Sequence, residues 1–143
     1  MANKIYPKAF ERMLKGGLDL LNQNVKAVLV DTGAYTYSDS HEYLSDIPSG
    51  ARIATSGNMT TKTVATVTTD DARFDCDDFT ITVGASQPTC EVLVYYVDTG
   101  VAGTSYLIKY LDTTTGLVYT PPVGGGTVQI QVSANGVLEL RNA

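Results

Sequence analysis

Short runs of β-branched and aromatic residues fill the chain after Asn24, and they constrain its fold more than any other feature. Val, Ile, Thr and Tyr favour the pleated sheet because their side chains pack well on its surface. Gly, Pro and Asp interrupt the runs, as is typical of turns between strands. The predicted strands are 25–31, 61–69, 79–83, 91–98, 105–112, 127–133 and 136–141.

This pattern predicts a mainly β protein, an antiparallel β-sandwich or jelly roll of about seven to eight strands. The run 127–133 alternates, with Val128 and Ile130 on one face and Gln129 and Gln131 on the other, as in a half-buried strand. Helices do not alternate with the strands, which argues against a parallel nucleotide-binding fold. With 143 residues, we expect a single domain over 1–143.

The first 22 residues have the hydrophobic period of a helix rather than that of a strand. Apolar residues recur every three or four positions from Tyr6 to Leu21, which predicts an amphipathic helix. Pro7 suits the first helical turn, and Gly16-Gly17 weakens the helix enough for a bend or break. We define 1–22 as an N-terminal helical arm whose apolar stripe packs in the core, lies across a partner, or does both.

Charge is unevenly distributed. The chain has 10 basic and 15 acidic residues, a net charge of −5, and an acidic protein is a poor general binder of nucleic acid. Half of the basic residues lie in the first 26 positions. Two interpretations remain open: a solvated basic helix face, or an arm that docks on an acidic surface such as a neighbouring copy.

The location of the protein is predicted from what the sequence lacks. The first ten residues contain no apolar signal segment, and no run approaches the ~20 apolar residues of a membrane span. We therefore expect a protein made in a cytoplasm, without membrane contact. Cys76 and Cys90 suit a reducing compartment as buried free thiols, although the sequence leaves open whether they pair.

Two Asp-Thr-Gly triplets, at Asp31 and Asp98, resemble the active-site motif of aspartic proteases. That reaction needs two carboxylates about 3 Å apart. A third variant begins at Asp112, and each triplet ends an apolar run. Asp bonds the backbone two residues on and Gly tolerates positive φ, so strand-ending turns explain all three better than catalysis does.

No other catalytic, metal or cofactor site is predicted. His41 is the single histidine and has no Ser or Cys motif to complete a triad. The acidic segment 70–78 lacks the spacing of an EF-hand, so a solvated acidic edge is favoured over calcium binding. The glycines at 124–126 lack the Lys-Ser/Thr of a phosphate loop.

The order of several segments resembles that of small structural proteins of tailed bacteriophages. These segments are "VKAVLVDTGAYTYSDSHEYLSDIPSGARIATSG", "VLVYYVDTG" and "YLIKYLDTTTGLVYTPPVGG". The resemblance covers most of the chain and contains no catalytic motif. It implies a virion protein, and our first hypothesis is a capsid decoration (cement) protein on the capsid surface. It would bind the major capsid protein and neighbouring copies of itself as a dimer or trimer.

Two alternatives accompany that hypothesis: a tail or head–tail joint protein, and a carbohydrate- or receptor-binding β-sandwich module. Tyrosines in the loop-like segment 32–50 are suited to contacts because they combine apolar area with a polar tip. They are equally suited to anchoring the loop. The candidate partner contacts are Lys4, Tyr6, Lys8, Phe10, Arg12, Lys15, Tyr35, Tyr37 and Tyr43.

Overall fold

The computed structural model describes residues 3–66, 69–112 and 123–141. These residues form one α-helix and ten strands in antiparallel sheets, which confirms a mainly β protein. Helix α1 is Pro7–Leu14. The strands are β1 Lys4–Ile5, β2 Val25–Val30, β3 Arg52–Thr55, β4 Thr63–Thr66, β5 Asp71–Asp75, β6 Phe79–Val83, β7 Val92–Val97, β8 Tyr106–Leu111, β9 Gly126–Ile130 and β10 Leu138–Arg141.

A five-stranded sheet with the order β1-β8-β7-β2-β3 forms the centre of the protein. All six residues of β7 are buried, and β2 buries every residue except the half-buried Lys26. A strand covered on both faces needs apolar side chains on both, which explains why these runs are continuous rather than alternating. The sheet is therefore the middle layer of the molecule.

Different elements cover the two faces of this sheet. On one face, Ala27 and Leu29 belong to the same core as Phe74 of the sheet β10-β5-β4 and Ile81 of the pair β6-β9. On the other face, Val28 and Val30 pack in a second core with Tyr6, α1 and the segment 31–51. That segment contains two short 3₁₀ helices, Leu44–Asp46 and Ser49–Ala51.

Helix α1 ends at Leu14, well before residue 22, so the predicted length of the helical arm was wrong. Its end is a Schellman motif: the Gly16 N–H donates to Met13 O and the Gly17 N–H donates to Arg12 O. Gly16 has φ +74°, a left-handed conformation that glycine adopts without strain. The predicted break at the two glycines is thus a helix terminus.

The N-terminal segment also begins as part of the sheet. Strand β1 pairs antiparallel with β8, and Tyr6 N–H donates to Ile108 O at 2.9 Å. A two-residue strand is too short to show a period, so sequence reasoning assigned these residues to the helix.

The ten strands exceed the predicted seven to eight because three were missed: β1, β3 and β5. Strand β5 lies within the acidic segment that we had assigned to a solvated edge. Its Ala72 and Phe74 alternate with Asp71, Arg73 and Asp75, so the charges lie on one face of the strand. The density of carboxylates hid this alternation.

Candidate interaction surfaces

The two complete Asp-Thr-Gly triplets are turns, as predicted. The Gly33 N–H donates to Asp31 Oδ1 at 2.7 Å, and the Gly100 N–H donates to Asp98 Oδ1 at 3.0 Å. Each aspartate therefore caps the backbone two residues on, at the end of a buried strand. The third variant starts at Asp112, but its remaining residues, 113–116, lie outside the described part of the chain.

Asp31 and Asp98 lie at opposite ends of the β2–β7 pair. Val30 is paired with Val92, and Val25 with Val97, so the two aspartates follow opposite ends of six-residue strands. Asp98 lies level with Asn24, so at about 3.4 Å per residue the two aspartates are roughly 24 Å apart. A carboxylate dyad within one chain would need them about 3 Å apart. Asp98 instead pairs with Lys26 Nζ at 2.6 Å, and this bond lowers the pKa of Asp98.

A chain of hydrogen bonds links the N-terminal segment to the loop 31–51. Tyr6 is fully buried, and its hydroxyl lies 3.0 Å from the hydroxyl of Tyr35. The Tyr35 hydroxyl lies 2.8 Å from His41 Nδ1. Burial raises the pKa of both phenols, that of Tyr35 to about 12, so both are neutral at pH 7. His41 therefore belongs to a structural network.

Three of the predicted partner contacts are interior residues. The side chains of Tyr6, Tyr35 and Tyr37 are 0%, 4% and 8% exposed, and all three belong to the second core. Tyr37 donates from its hydroxyl to Asp39 Oδ1 at 2.8 Å. Tyr35 and Tyr37 thus anchor the loop rather than offering a contact surface. Tyr43, the third tyrosine of the segment, is half-buried.

Arg12 fastens α1 to the rest of the protein. Its Nη2 lies 2.8 Å from Glu42 Oε1, and its guanidinium lies 3.8 Å from the centroid of the Tyr106 ring. A cation over an aromatic ring is stabilised by the ring quadrupole. Lys4 has a similar but looser position, 3.8 Å from Asp39 Oδ1 and 5.1 Å from the ring centroid of Tyr37.

The outer side of α1 carries an exposed apolar pair, Phe10 and Leu14. Their exposed fractions are 41% and 90%, and residues four apart are neighbours on a helix surface. Beside them, Glu11 accepts hydrogen bonds from Lys15 at 2.6 Å and from Lys8 at 2.8 Å. The bond from Lys15, then that from Lys8, lowers the pKa of Glu11 to about 2. We call these five residues the arm face.

A second apolar surface lies where β4, β5 and β10 leave the core. Two rows of side chains cross the strands on one face: Val64, Phe74 and Leu138, then Thr66, Ala72 and Leu140. Phe74 and Leu138 are buried, whereas Val64 is 50% exposed and Leu140 43%. The apolar face therefore continues past the edge of the core.

This face forms one wall of a groove of about 270 Å³. The segment after α1 forms the other wall, with Met13, Leu18 and the 45% exposed Leu21. We call it the edge groove. Sequence reasoning placed Met13, Leu18 and Leu21 on a helical stripe, but it did not identify Val64 or Leu140. The alternation of apolar and charged residues in β10 could have placed Leu140 on the same face as Leu138.

The opposite face of the same three strands carries charges in matched pairs. Asp71 is buried and lies 2.7 Å from Arg73 Nη2 and 3.8 Å from Arg141 Nη2. Glu139 lies 2.5 Å from Arg141 and 3.4 Å from Arg73. These acidic groups are engaged in ion pairs, and the described residues contain no group of three or more His, Cys, Asp or Glu arranged for a metal ion.

Cys76 and Cys90 are buried and form no disulfide, which confirms the prediction of buried free thiols. Burial raises the pKa of each thiol to about 11, so both are protonated at pH 7. A protonated thiol is a weak nucleophile.

Comparison of the sequence with protein-family models gives no match, and a search of curated proteins gives none either. Among the described residues, no helix has the length and apolar character needed to cross a membrane.

Proposed function

We propose that this chain is a non-enzymatic structural protein of a tailed-bacteriophage virion, a decoration protein that binds and stabilises the shell of major capsid protein. It would be made in the host cytoplasm and act on the capsid surface. The proposal starts from the segment resemblance described above. Its main structural support is the arm face, where Phe10 and Leu14 are exposed on a helix that is attached to the rest of the protein through Arg12.

An exposed leucine is unremarkable alone, but Leu14 belongs to an organised surface. Phe10 and Leu14 share one side of α1, and the Lys8–Glu11–Lys15 ion pairs border them. Burying apolar area against a partner is favourable by about 25 cal/mol per Å². An apolar centre with a charged border is the usual composition of a protein interface.

The attachment of α1 makes this surface suitable for docking. Arg12 is held by Glu42 and Tyr106, and Ala9 is buried beneath the helix. A partner that binds the arm face would therefore not have to order the helix first, which reduces the entropic cost of binding.

The layered arrangement suits the same proposal. The sheets β10-β5-β4 and β6-β9 share a core with one face of the five-stranded sheet. We include in the proposal that these layers form a β-sandwich, the fold expected from the pattern of strands in the sequence.

The alternatives differ in what supports them. A tail or head–tail joint location would use the arm face equally well, so the experiment below includes tails. The glycan-binding alternative depended on exposed loop tyrosines, and Tyr35 and Tyr37 are buried.

The test is a binding assay with phage heads that lack the protein. Purified wild-type chain should co-sediment with these heads and not with isolated tails. The double variant Phe10→Ser/Leu14→Ser should bind at least tenfold more weakly, about 1.4 kcal/mol, because two apolar side chains no longer leave water on docking. Its thermal unfolding should stay close to that of wild type, because Leu14 is 90% exposed and Phe10 belongs to neither buried core.

Val101→Ser is the matched control, because Val101 is 61% exposed but lies in the loop before β8. It should bind heads like wild type. Binding to tails alone would contradict a decoration role, and full binding by the double variant would show that the arm face is not the docking surface.

A further inference from the structure

Within the described part of the chain, strand β4 is an unprotected sheet edge. It is the outer strand of the order β10-β5-β4, and among the described strands it alone has every residue exposed. Its sequence, Thr63-Val64-Ala65-Thr66, contains no charge and no proline. An edge strand presents unpaired backbone N–H and C=O groups, which another strand can satisfy.

Three of the other outer strands, β10, β1 and β3, carry features that normally prevent such pairing. The outer strands β6 and β9 are uncharged like β4, but each of them buries part of its residues. Strand β10, at the opposite edge of the same sheet, contains Glu139 and Arg141. Strand β1 has two residues. Strand β3 begins with Arg52, and its register with β2 shifts between Leu29 and Val30. Charge, shortness and bulges each discourage edge-to-edge association, and β4 contains neither a charge nor a bulge.

The edge groove lies directly beside this strand. Val64 is the outermost member of the row Val64–Phe74–Leu138, so an apolar row reaches the unpaired edge and stops there. Charged side chains occupy the other face, on β5 and β10, while β4 offers only Thr63 and Ala65 on that face.

We propose that β4 pairs antiparallel with β4 of a second copy of this chain, which joins two three-stranded sheets into one of six strands. The twofold axis between two antiparallel copies of a strand is perpendicular to the sheet, so both edge grooves face the same side. Val64 then lies opposite Val64 of the second copy, and the apolar row becomes continuous across both chains. This is a self-complementary interface of the kind found in twofold dimers.

A second copy fits this edge better than an unrelated charged strand. On the other face, the residues nearest the axis are neutral in both chains, and the ion pairs of Asp71 with Arg73 and Arg141 lie on β5 and β10. In this register Val64 lies opposite Val64 and Thr63 opposite Ala65, so no like charges from β4 meet across the axis. The inference is independent of capsid binding, because self-association can be measured with the purified protein alone.

The first test is the molecular mass by sedimentation velocity over a dilution series. Wild type should sediment as a dimer, twice the chain mass of 15.3 kDa, and dissociate on dilution. Val64→Lys and Thr66→Lys should each shift the protein to monomer, because they place two like charges near the axis. Thr82→Lys adds the same charge to an exposed position of β6 and should leave the dimer intact.

The second test is a disulfide across the axis. Directly opposed residues of an antiparallel pair have Cα atoms about 4.5–5.5 Å apart, within the range of a disulfide. Val64→Cys should form a covalent dimer under mild oxidation, or Ala65→Cys should if the register is shifted by one residue in each chain. Thr82→Cys should not. A monomeric wild type with no crosslink at 64 or 65, or a dimer that survives both lysine variants, would overturn the inference.

Discussion

At the residue scale, the Asp-Thr-Gly triplets show how one short motif supports two unrelated interpretations. The same carboxylate that would activate water for attack on a peptide bond also accepts a hydrogen bond from the glycine two residues on, as Asp31 and Asp98 do. Only the strand register separates the two roles, because it places the aspartates at opposite ends of the β2–β7 pair. In the sequence alone, the repetition of the motif already favours turns over a catalytic pair.

The two aspartates differ in one property that a stability measurement can detect. Lys26 lowers the pKa of Asp98 below its ordinary value of 3.8, so the ion pair stabilises the fold above about pH 4. This contribution is lost as pH falls through the lowered pKa. We expect Asp98→Asn to reduce the free energy of unfolding by about 1 kcal/mol at pH 7, and the difference from wild type should shrink as the pH falls below the ordinary range of an aspartate.

Asp31→Asn is the matched control, because an asparagine oxygen accepts the same hydrogen bond from the Gly33 N–H. It should change the free energy of unfolding by less than about 0.5 kcal/mol at pH 7. Urea titrations of both variants at pH 7 and at low pH measure these differences. Equal losses at pH 7 for the two variants would show that the Lys26 pair contributes nothing.

At the scale of elements, the terminus of α1 determines which surfaces the protein exposes. The Schellman motif at Gly16-Gly17 ends the helix, so Leu18 and Leu21 leave the helical stripe and instead line the edge groove. Had the helix continued, these side chains would have followed the stripe of Ala9 and Met13. One glycine pair therefore separates the arm face from the edge groove.

Gly16→Ala tests that terminus. At φ +74° an alanine is strained, and we expect a loss of about 1 kcal/mol in the free energy of unfolding. Gly50→Ala is the control: Gly50 lies in a 3₁₀ helix, and an added Cβ would meet nothing within 4 Å. That variant should be neutral or stabilised by up to about 1 kcal/mol. Similar losses in chemical denaturation for both would contradict the assignment of Gly16 as the helix cap.

At the scale of the whole molecule, the sequence predicts what is local and periodic. Strand β6 was predicted at its observed bounds, and β7 to within one residue at each end, because both are uninterrupted β-branched runs between turn residues. The β-rich class and the Asp turns follow from the same signals. Strand β5 was missed because its apolar and charged residues share one short segment.

The candidate surfaces were harder to predict because exposure depends on tertiary packing. Tyr6 and Phe10 have the same helical-stripe pattern in the sequence, yet Tyr6 is fully buried and Phe10 is 41% exposed. The difference arises from β1, which carries Tyr6 into the core beside Tyr35 and Tyr110. Likewise, Val64 reads as an ordinary strand residue until the strand order places β4 at an edge.

The most direct test of the proposed function is the location of the protein on its particle. Electron cryomicroscopy of phage with and without the protein should give a difference density on the outer surface of the head. That density should repeat over the capsid lattice, with α1 facing the major capsid protein. Difference density confined to the tail or the head–tail joint, or a head contact made by another side of the molecule with Phe10 and Leu14 in solvent, would contradict it.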